Sequence, residues 1–189
     1  MRLTPFDLTT IGADGTGMAS ATAKQLDEAI ERTTVPRHRD LLEVVKEHFV
    51  AELIDNDIER TMATLVHNPR YRSYGLNPEG LRIPTAMNTD AEVRDWYNAL
   101  FETGRDIRGL EIDILLVDDD SVAMHCTHYN PFPSLLKYYP DAEAHIDVGR
   151  KGFSAKATSG FVPFDGLLMA GEIQYYDLGV GLGDIVYAD

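Results

Sequence analysis

An α+β fold, with helices packed on one face of a curved antiparallel sheet, is what the sequence predicts, and three observations carry that expectation. Apolar residues recur at helical spacing as far as Leu100 and give way to strand-like runs after Gly109. Two of the late runs meet at Asp165-Gly166, a dipeptide suited to a tight hairpin turn. The 189 residues supply one well-buried core and fall short of two ordinary domains.

The elements follow in order. Residues 1–20 (MRLTPFDLTTIGADGTGMAS) have no apolar period and read as an N-terminal arm, poorly ordered by itself. A single domain is expected over 21–189. A short helix is expected from Ala21 to about Thr34, stopped by Pro36. Leu42, Val45, Phe49 and Leu53 form the apolar stripe of a second helix. Asn56 with Glu59 reads as the cap of a third, carrying Ile58, Met62 and Leu65. RYRSY (70–74) reads as a short strand. Thr89 and Glu92 form a capping box that opens a helix bearing Val93, Trp96, Tyr97 and Leu100. Strands are expected at 110–117 and 121–129, turning at Asp118-Asp119-Asp120, and again at 153–164 and 167–178. Between the pairs, 130–152 holds three prolines and reads as a lid or an insertion. Gly179, Gly181 and Gly183 read as the start of a flexible tail.

Composition narrows the function. Acidic residues number 31 against 17 Lys and Arg, a formal charge of −14, and no basic patch stands out; nucleic-acid and membrane partners are not expected. The single cysteine, Cys126, excludes an internal disulfide and fits a reducing cytoplasm. The start of the chain lacks the apolar region of a secretory signal, and no run reaches membrane-spanning length. GADGTG (12–17) follows no strand, directly precedes no expected helix and lacks the Lys-Ser/Thr of a phosphate loop.

Three stretches carry a resemblance: HFVAELIDNDIERTMATLVHNPRYRSY (48–74), AEVRDWYNALFE (91–102) and GFVPFDGLLMAGEIQYYDL (160–178). Together they resemble the SnoaL-like branch of the nuclear transport factor 2-like superfamily. That resemblance implies a cone-shaped sheet, a cystatin-like α+β roll with a small-molecule cavity at its concave face, and a homodimer formed through the outer sheet face. Matched to limonene-epoxide-hydrolase-like members, the strands would point Met124, Cys126 and His128 inward, followed by Lys156 and Thr158, and by Glu172, Gln174 and Tyr176. Tyr71 and Ser73 would fall where those members position water. The epoxide-hydrolase Arg and Asp positions are occupied here by Cys126 and His128, and the second Asp by Gln174, so that reaction is not expected.

The residue chemistry then points to proton transfer. His128 is the first candidate acid/base, since imidazole exchanges protons near neutral pH. Tyr71 and Tyr176 would polarise an oxygen, and Glu172 would serve as a base if desolvated. Lys156 would pair with Glu172 or anchor an anionic substrate. Trp96, Met124, Cys126, Ser73, Gln174 and Thr158 would line the walls, although Trp96, with Tyr97 and Phe101, sits at a helical spacing that favours core packing over ligand contact. His125 and His128 are three apart on one strand and face opposite ways, so HCTH is no zinc motif. Asp113 is either edge-facing or a pocket carboxylate, and Asp177 is read as structural. No metal or cofactor is expected. A cofactor-independent isomerase, cyclase or dehydratase acting on a small, largely apolar molecule is the first reading; a non-catalytic binding or dimerisation module is the alternative.

Overall fold

Capping chemistry sets the helix boundaries in the computed structural model, which describes residues 1–75, 86–102, 109–138, 140–176 and 182–188. α1 (Met18–Arg32) begins directly after Gly17, whose left-handed backbone (φ 95°) turns the chain into the helix. It therefore starts earlier than the apolar period suggested, at the end of the glycine-rich run. α2 (Pro36–Val50) opens on a proline, whose missing N–H is no loss in a first turn. It runs into a π-helical turn, Ala51–Asp55, which ends at Asn56 in a left-handed conformation (φ 51°). α3 (Ile58–Ala63) is capped by Asp57, whose carboxylate accepts the amides of Glu59 and Arg60, both at 3.1 Å. The cap expected at Asn56 thus falls one residue later, because the π turn leaves Asn56 reversing the chain. α4 (Asp90–Phe101) carries the Thr89–Glu92 capping box complete.

The strands are β1 (Leu65–Tyr74), β2 (Ala86–Met87), β3 (Leu110–Asp118), β4 (Ser121–Pro131), β5 (Gly152–Asp165), β6 (Leu168–Tyr176) and β7 (Asp184–Tyr187). They form one mixed, unclosed sheet in the order β2-β1-β6-β5-β4-β3, with β7 on β5. All pairs are antiparallel except β1 with β6. Asp118 pairs with Ser121 and Asp165 with Leu168, so both expected hairpins close through two-residue loops. The tail beginning at Gly183 is strand β7 rather than a free end; Gly179 and Gly181 lie outside the described residues. Ile185, Val186 and Tyr187 suit a pleated edge, and the same side of β5 that receives β6 also receives β7.

α1 closes the β3 edge. Thr22 exchanges hydrogen bonds with the amide and carbonyl of Leu110, both at 3.0 Å. Gln25 Oε1 accepts from the amide of Ile112 at 2.7 Å, and its Nε2 donates to the carbonyl at 3.4 Å. The N-terminal arm continues this cover, with the Leu115 amide donating to the carbonyl of Met1 at 2.8 Å. Leu26, Leu41, Leu42, Val45, Val93 and Tyr97 from the helices meet Ile112, Leu115, Val122, Cys126 and Met169 from the sheet in one core. Each such side chain contributes about 1.5–3 kcal/mol by leaving water.

Between β4 and β5, α5 (Phe132–Tyr138) and a 3-10 turn (Pro140–His145) form a second small core, in which Phe132, Leu135, Ala142 and Ile146 pack against Ile185 and Tyr187. On the convex face Leu116, Phe161, Tyr175 and Tyr74 are exposed, and Tyr74 stacks on Tyr175 at 4.9 Å. Among the described residues, no helix is long and apolar enough to cross a membrane.

Candidate functional site

A bulge near the start of β1 positions the site. The β1–β6 register slips between Leu65 and Arg70, and β6 answers with Gly171 (φ 134°), where a Cβ would lie 2.0 Å from the Arg70 carbonyl oxygen. Only glycine fits there. Asp90, in the first turn of α4, accepts the Asn68 amide at 2.7 Å and holds His67 through its imidazole. α4 is thereby fastened across β1, and Tyr97 on the helix comes to lie over Tyr71 on the strand. Past the bulge, Tyr71 pairs with Glu172 and Ser73 with Gln174.

From α2 a histidine completes the group. His48, Tyr71 and Tyr97 are each 2% exposed or less. Tyr71 Oη lies 3.0 Å from Tyr97 Oη, which lies 2.8 Å from His48 Nε2. The same nitrogen stands 3.4 Å from Glu172 Oε1 and 3.6 Å from Glu52 Oε2, both carboxylates being partly exposed. Gln174 donates to the other oxygen of Glu172 at 2.5 Å. Trp96 packs against both rings, with centroids 6.0 Å from Tyr71 and 4.8 Å from Tyr97.

The hydrogen bonds fix the imidazole. Thr64 Oγ1 donates its proton to the Thr61 carbonyl at 2.7 Å, so toward His48 Nδ1, 2.6 Å away, it accepts. Nδ1 therefore carries hydrogen, and Nε2 is the nitrogen that gains or loses a proton toward Tyr97 and the carboxylates. Burial disfavours the imidazolium, but hydrogen bonding to Glu172 and the charges of Glu172 and Glu52 outweigh it, and the His48 pKa is raised. Burial, reinforced by the Glu172 charge, pushes the Tyr71 hydroxyl well above its usual range. Burial does the same for Tyr97. Both phenols therefore stay protonated and act as donors. The neutral network runs Tyr71 to Tyr97 to Nε2; protonating Nε2 reverses it and turns the Tyr97 and Tyr71 hydroxyls outward along the chain.

The inward parity expected of the strands places the other candidates on the concave face without bringing them together. Cys126, His128, Lys156, Thr158 and Ser73 are buried, and Met124 packs on the core. Gln174 is level with Gly160 and Met124, whereas His128 pairs with Lys156 four residues further along β5. That is roughly 13 Å at the usual strand rise. His128 therefore stands apart from Tyr71 and Glu172, and Lys156 does not meet Glu172, whose carboxylate faces His48 instead. Alternation assigns a face; it does not assign a position along the strand.

Tyr176 ends β6 opposite Thr158, and its side chain lies outside the described residues, as does Asp177. Asp113 sits at a bulge in β3 and accepts from Thr127 at 3.0 Å. His125 is exposed beside Ser159, on the face opposite His128. Burial raises the Cys126 pKa, the mark of an inert wall thiol.

His48, Glu52, Thr64 and Tyr97 were not singled out from the sequence. The signal was present: Leu41, Val45, His48 and Glu52 fall at spacings of four, three and four, one step around α2 from the stripe centred on Phe49. Glu52 lies within the π turn, a deformation frequent at functional sites. A groove of about 670 Å³ lies between α2 and Leu168, and of the network residues its lining includes only Thr64.

A curved sheet beneath helices thus holds a buried His–Tyr–Tyr chain, ending at the partly exposed Glu172, within an otherwise apolar α+β core. No protein-family model and no curated protein matches the sequence. Solved structures match its shape. A nuclear transport factor 2-like protein from Anabaena variabilis superposes with a TM-score of 0.54 at 10% identity, over 80% of this chain and 98% of that one. A candidate polyketide cyclase from Xanthomonas campestris gives 0.50 at 11% identity, over 75% and 93%. TerC, co-crystallised with polyporic acid, gives 0.50 at 11% identity, over 73% and 92%. The chain thus has the nuclear transport factor 2-like fold, as its resemblance to SnoaL-like sequences implied; at these identities the likeness speaks for the fold alone.

Proposed function

We propose that this protein is an acid–base catalyst of the isomerase, cyclase or dehydratase type, acting on a small, largely apolar organic molecule. The observation that carries the reading is the buried chain Glu172–His48–Tyr97–Tyr71, in which a carboxylate and a phenol are register partners on neighbouring strands. Glu172 takes a proton from carbon next to a carbonyl. Tyr71 donates its hydrogen bond to the oxygen that gains charge, and its raised pKa keeps that proton in place. Protonated His48 donates to Tyr97 and Tyr97 to Tyr71, which leaves the Tyr71 hydrogen free for that oxygen, and Glu172 returns its proton to carbon as the enolate collapses. Gln174 orients the base, and Trp96 provides apolar wall. Further support comes from the candidate cyclase and from TerC with its polyporic acid, which share the fold.

The test is deuterium uptake from D2O at the α-carbon of 2-tetralone, followed by mass spectrometry. Uptake well above the buffer rate, lost in Glu172→Gln, is the expected result. Wild-type uptake equal to buffer, or equal to that of Glu172→Gln, overturns the reading.

The exposed Leu116, Phe161, Tyr175 and Tyr74 favour a homodimer through the convex face, the feature that a dimerisation module would also show. Light scattering during size-exclusion chromatography at micromolar concentration is expected to give twice the chain mass; a monomer refutes it.

A further inference from the structure

A groove of about 470 Å³ lies between α5, the loop that leads into β5, and the N-terminal arm at Ala13. Phe132, Pro133, Leu136 and Val148 give it apolar walls. Glycine is required at 152: a Cβ there would lie 2.4 Å from two atoms of the Phe132 ring, so bare backbone lets the ring close on the start of β5. Arg150 and Lys151 supply the charge, and no carboxylate belongs to the described residues that line the groove. In a chain of net charge −14 that is a local reversal of sign. The groove beside α2 is the opposite case. Glu43 and Glu47 line it, and its Lys46 is held by Asp27.

Both cations are held in place. The Lys151 ammonium donates to the Thr9 carbonyl at 2.8 Å, a neutral acceptor that takes one of its three hydrogens and leaves its charge unbalanced. Its backbone is fixed by Ala188, whose amide donates to the Lys151 carbonyl at 3.0 Å. Arg150 lies over the Tyr187 ring, 4.1 Å from the centroid, and Tyr187 Oη accepts the Asp147 amide at 2.9 Å. The neighbouring acids turn to the backbone: Asp14 accepts the Thr16 amide and Asp147 the Gly149 amide, both at 3.0 Å. Small-molecule sites commonly enclose about 300–1,000 Å³, with apolar walls and a few fixed polar groups. Here the fixed groups are cationic, so the charge they select is negative.

We infer that this groove binds a small apolar organic acid, its carboxylate against Lys151 and its hydrocarbon body along Phe132, Leu136 and Val148. Lys151 gives the hydrogen bond, and Arg150 adds its positive field. The groove shares no residue with the His48 network and stands independently of the acid–base reading.

The test is titration of octanoate, and separately of uncharged 1-octanol, into the full-length protein at pH 7, followed by ¹H–¹⁵N spectra. Octanoate is expected to shift the backbone amide resonances of Val148, Gly149, Arg150 and Gly152 and to bind at least fivefold more tightly than octanol. Lys151→Met is expected to weaken octanoate at least fivefold and to leave octanol unchanged. Val148→Trp, which fills the groove from a position 54% exposed, is expected to weaken both. Lys24→Met, at an exposed site on α1, changes neither. The shifts in the unmodified protein keep the test decisive if Lys151→Met fails to fold. Octanoate shifts confined to the residues around His48, equal binding of the two compounds, undiminished octanoate binding by folded Lys151→Met, or no shift at millimolar octanoate each overturns the inference.

Discussion

Two buried polar groups share one concave face and are built on opposite principles. Around His48 the contacts interlock: Thr61 holds Thr64, Thr64 holds Nδ1, and Nε2 meets Tyr97, which meets Tyr71. Around His128 and Lys156 the set includes an enclosed amide with nothing to donate to. A satisfied network fixes its members in one geometry, which suits proton movement between set positions. An enclosed, unpaired donor, here Asn130 Nδ2, carries a desolvation cost that no hydrogen bond offsets. The difference separates a hydrogen-bond chain that closes on itself from a cluster with one donor left over.

Substitutions can break or sharpen this contrast. The largest effect is expected from Glu172→Gln, which removes the base and lowers proton-transfer activity about 10²-fold or more, read as the deuterium-uptake rate. Tyr97→Phe follows. It leaves the His48 and Tyr71 hydrogen-bonding atoms facing a void, and a loss of about 1–3 kcal/mol is expected in urea denaturation. Thr64→Val removes the acceptor that fixes Nδ1–H and is expected to cost about 1 kcal/mol. Long-range ¹H–¹⁵N spectra at alkaline pH should then show the neutral His48 ring leaving its Nδ1–H tautomer, with Thr64→Ser restoring it.

The pH dependence has a definite sign. Because the folded-state pKa of His48 lies above its ordinary 6.5, the stabilisation that comes from protonating it is complete below pH 6.5 and is lost as the pH rises through the folded value. The melting-temperature advantage of wild type over His48→Gln should therefore narrow toward alkaline pH. A constant or widening gap would contradict the charged network. The smallest effect, and of opposite sign, is expected at the other group: Asn130→Leu removes the orphaned donor and should raise stability by up to about 1 kcal/mol, read in the same urea titration.

Much of the architecture was legible because it is written locally. Thr89 with Glu92, Asp165-Gly166 and the Asp118–Asp120 turn each specify their geometry within a few residues. The alternation of β4 and β5 likewise buried Cys126, His128, Lys156 and Thr158 as expected. The site was legible only by half. Tyr71 and Glu172 were both chosen, yet their partner was sought in His128, because parity places a side chain on a face and is silent about its height. His48 and Glu52 were hidden by a helix that reads equally well from the neighbouring stripe. His48 shares the buried side of α2 with Leu41 and Val45, and Glu52 follows it in the π turn, where one added residue changes which side of the chain looks inward. β2 and β7 escaped because strands of two and four residues carry too little alternation to register.

The way α1 meets the sheet has a consequence for the molecule in a crowded solution. Thr22 and Gln25 imitate a second neighbour for β3, offering donor and acceptor in the order a strand would. An incoming strand from another chain finds that border already taken by the protein's own side chains. Growth by edge-to-edge addition is stopped there without a proline or a lysine on β3 itself, and α1 acts as a guard against fibrous self-association as well as a layer of the core.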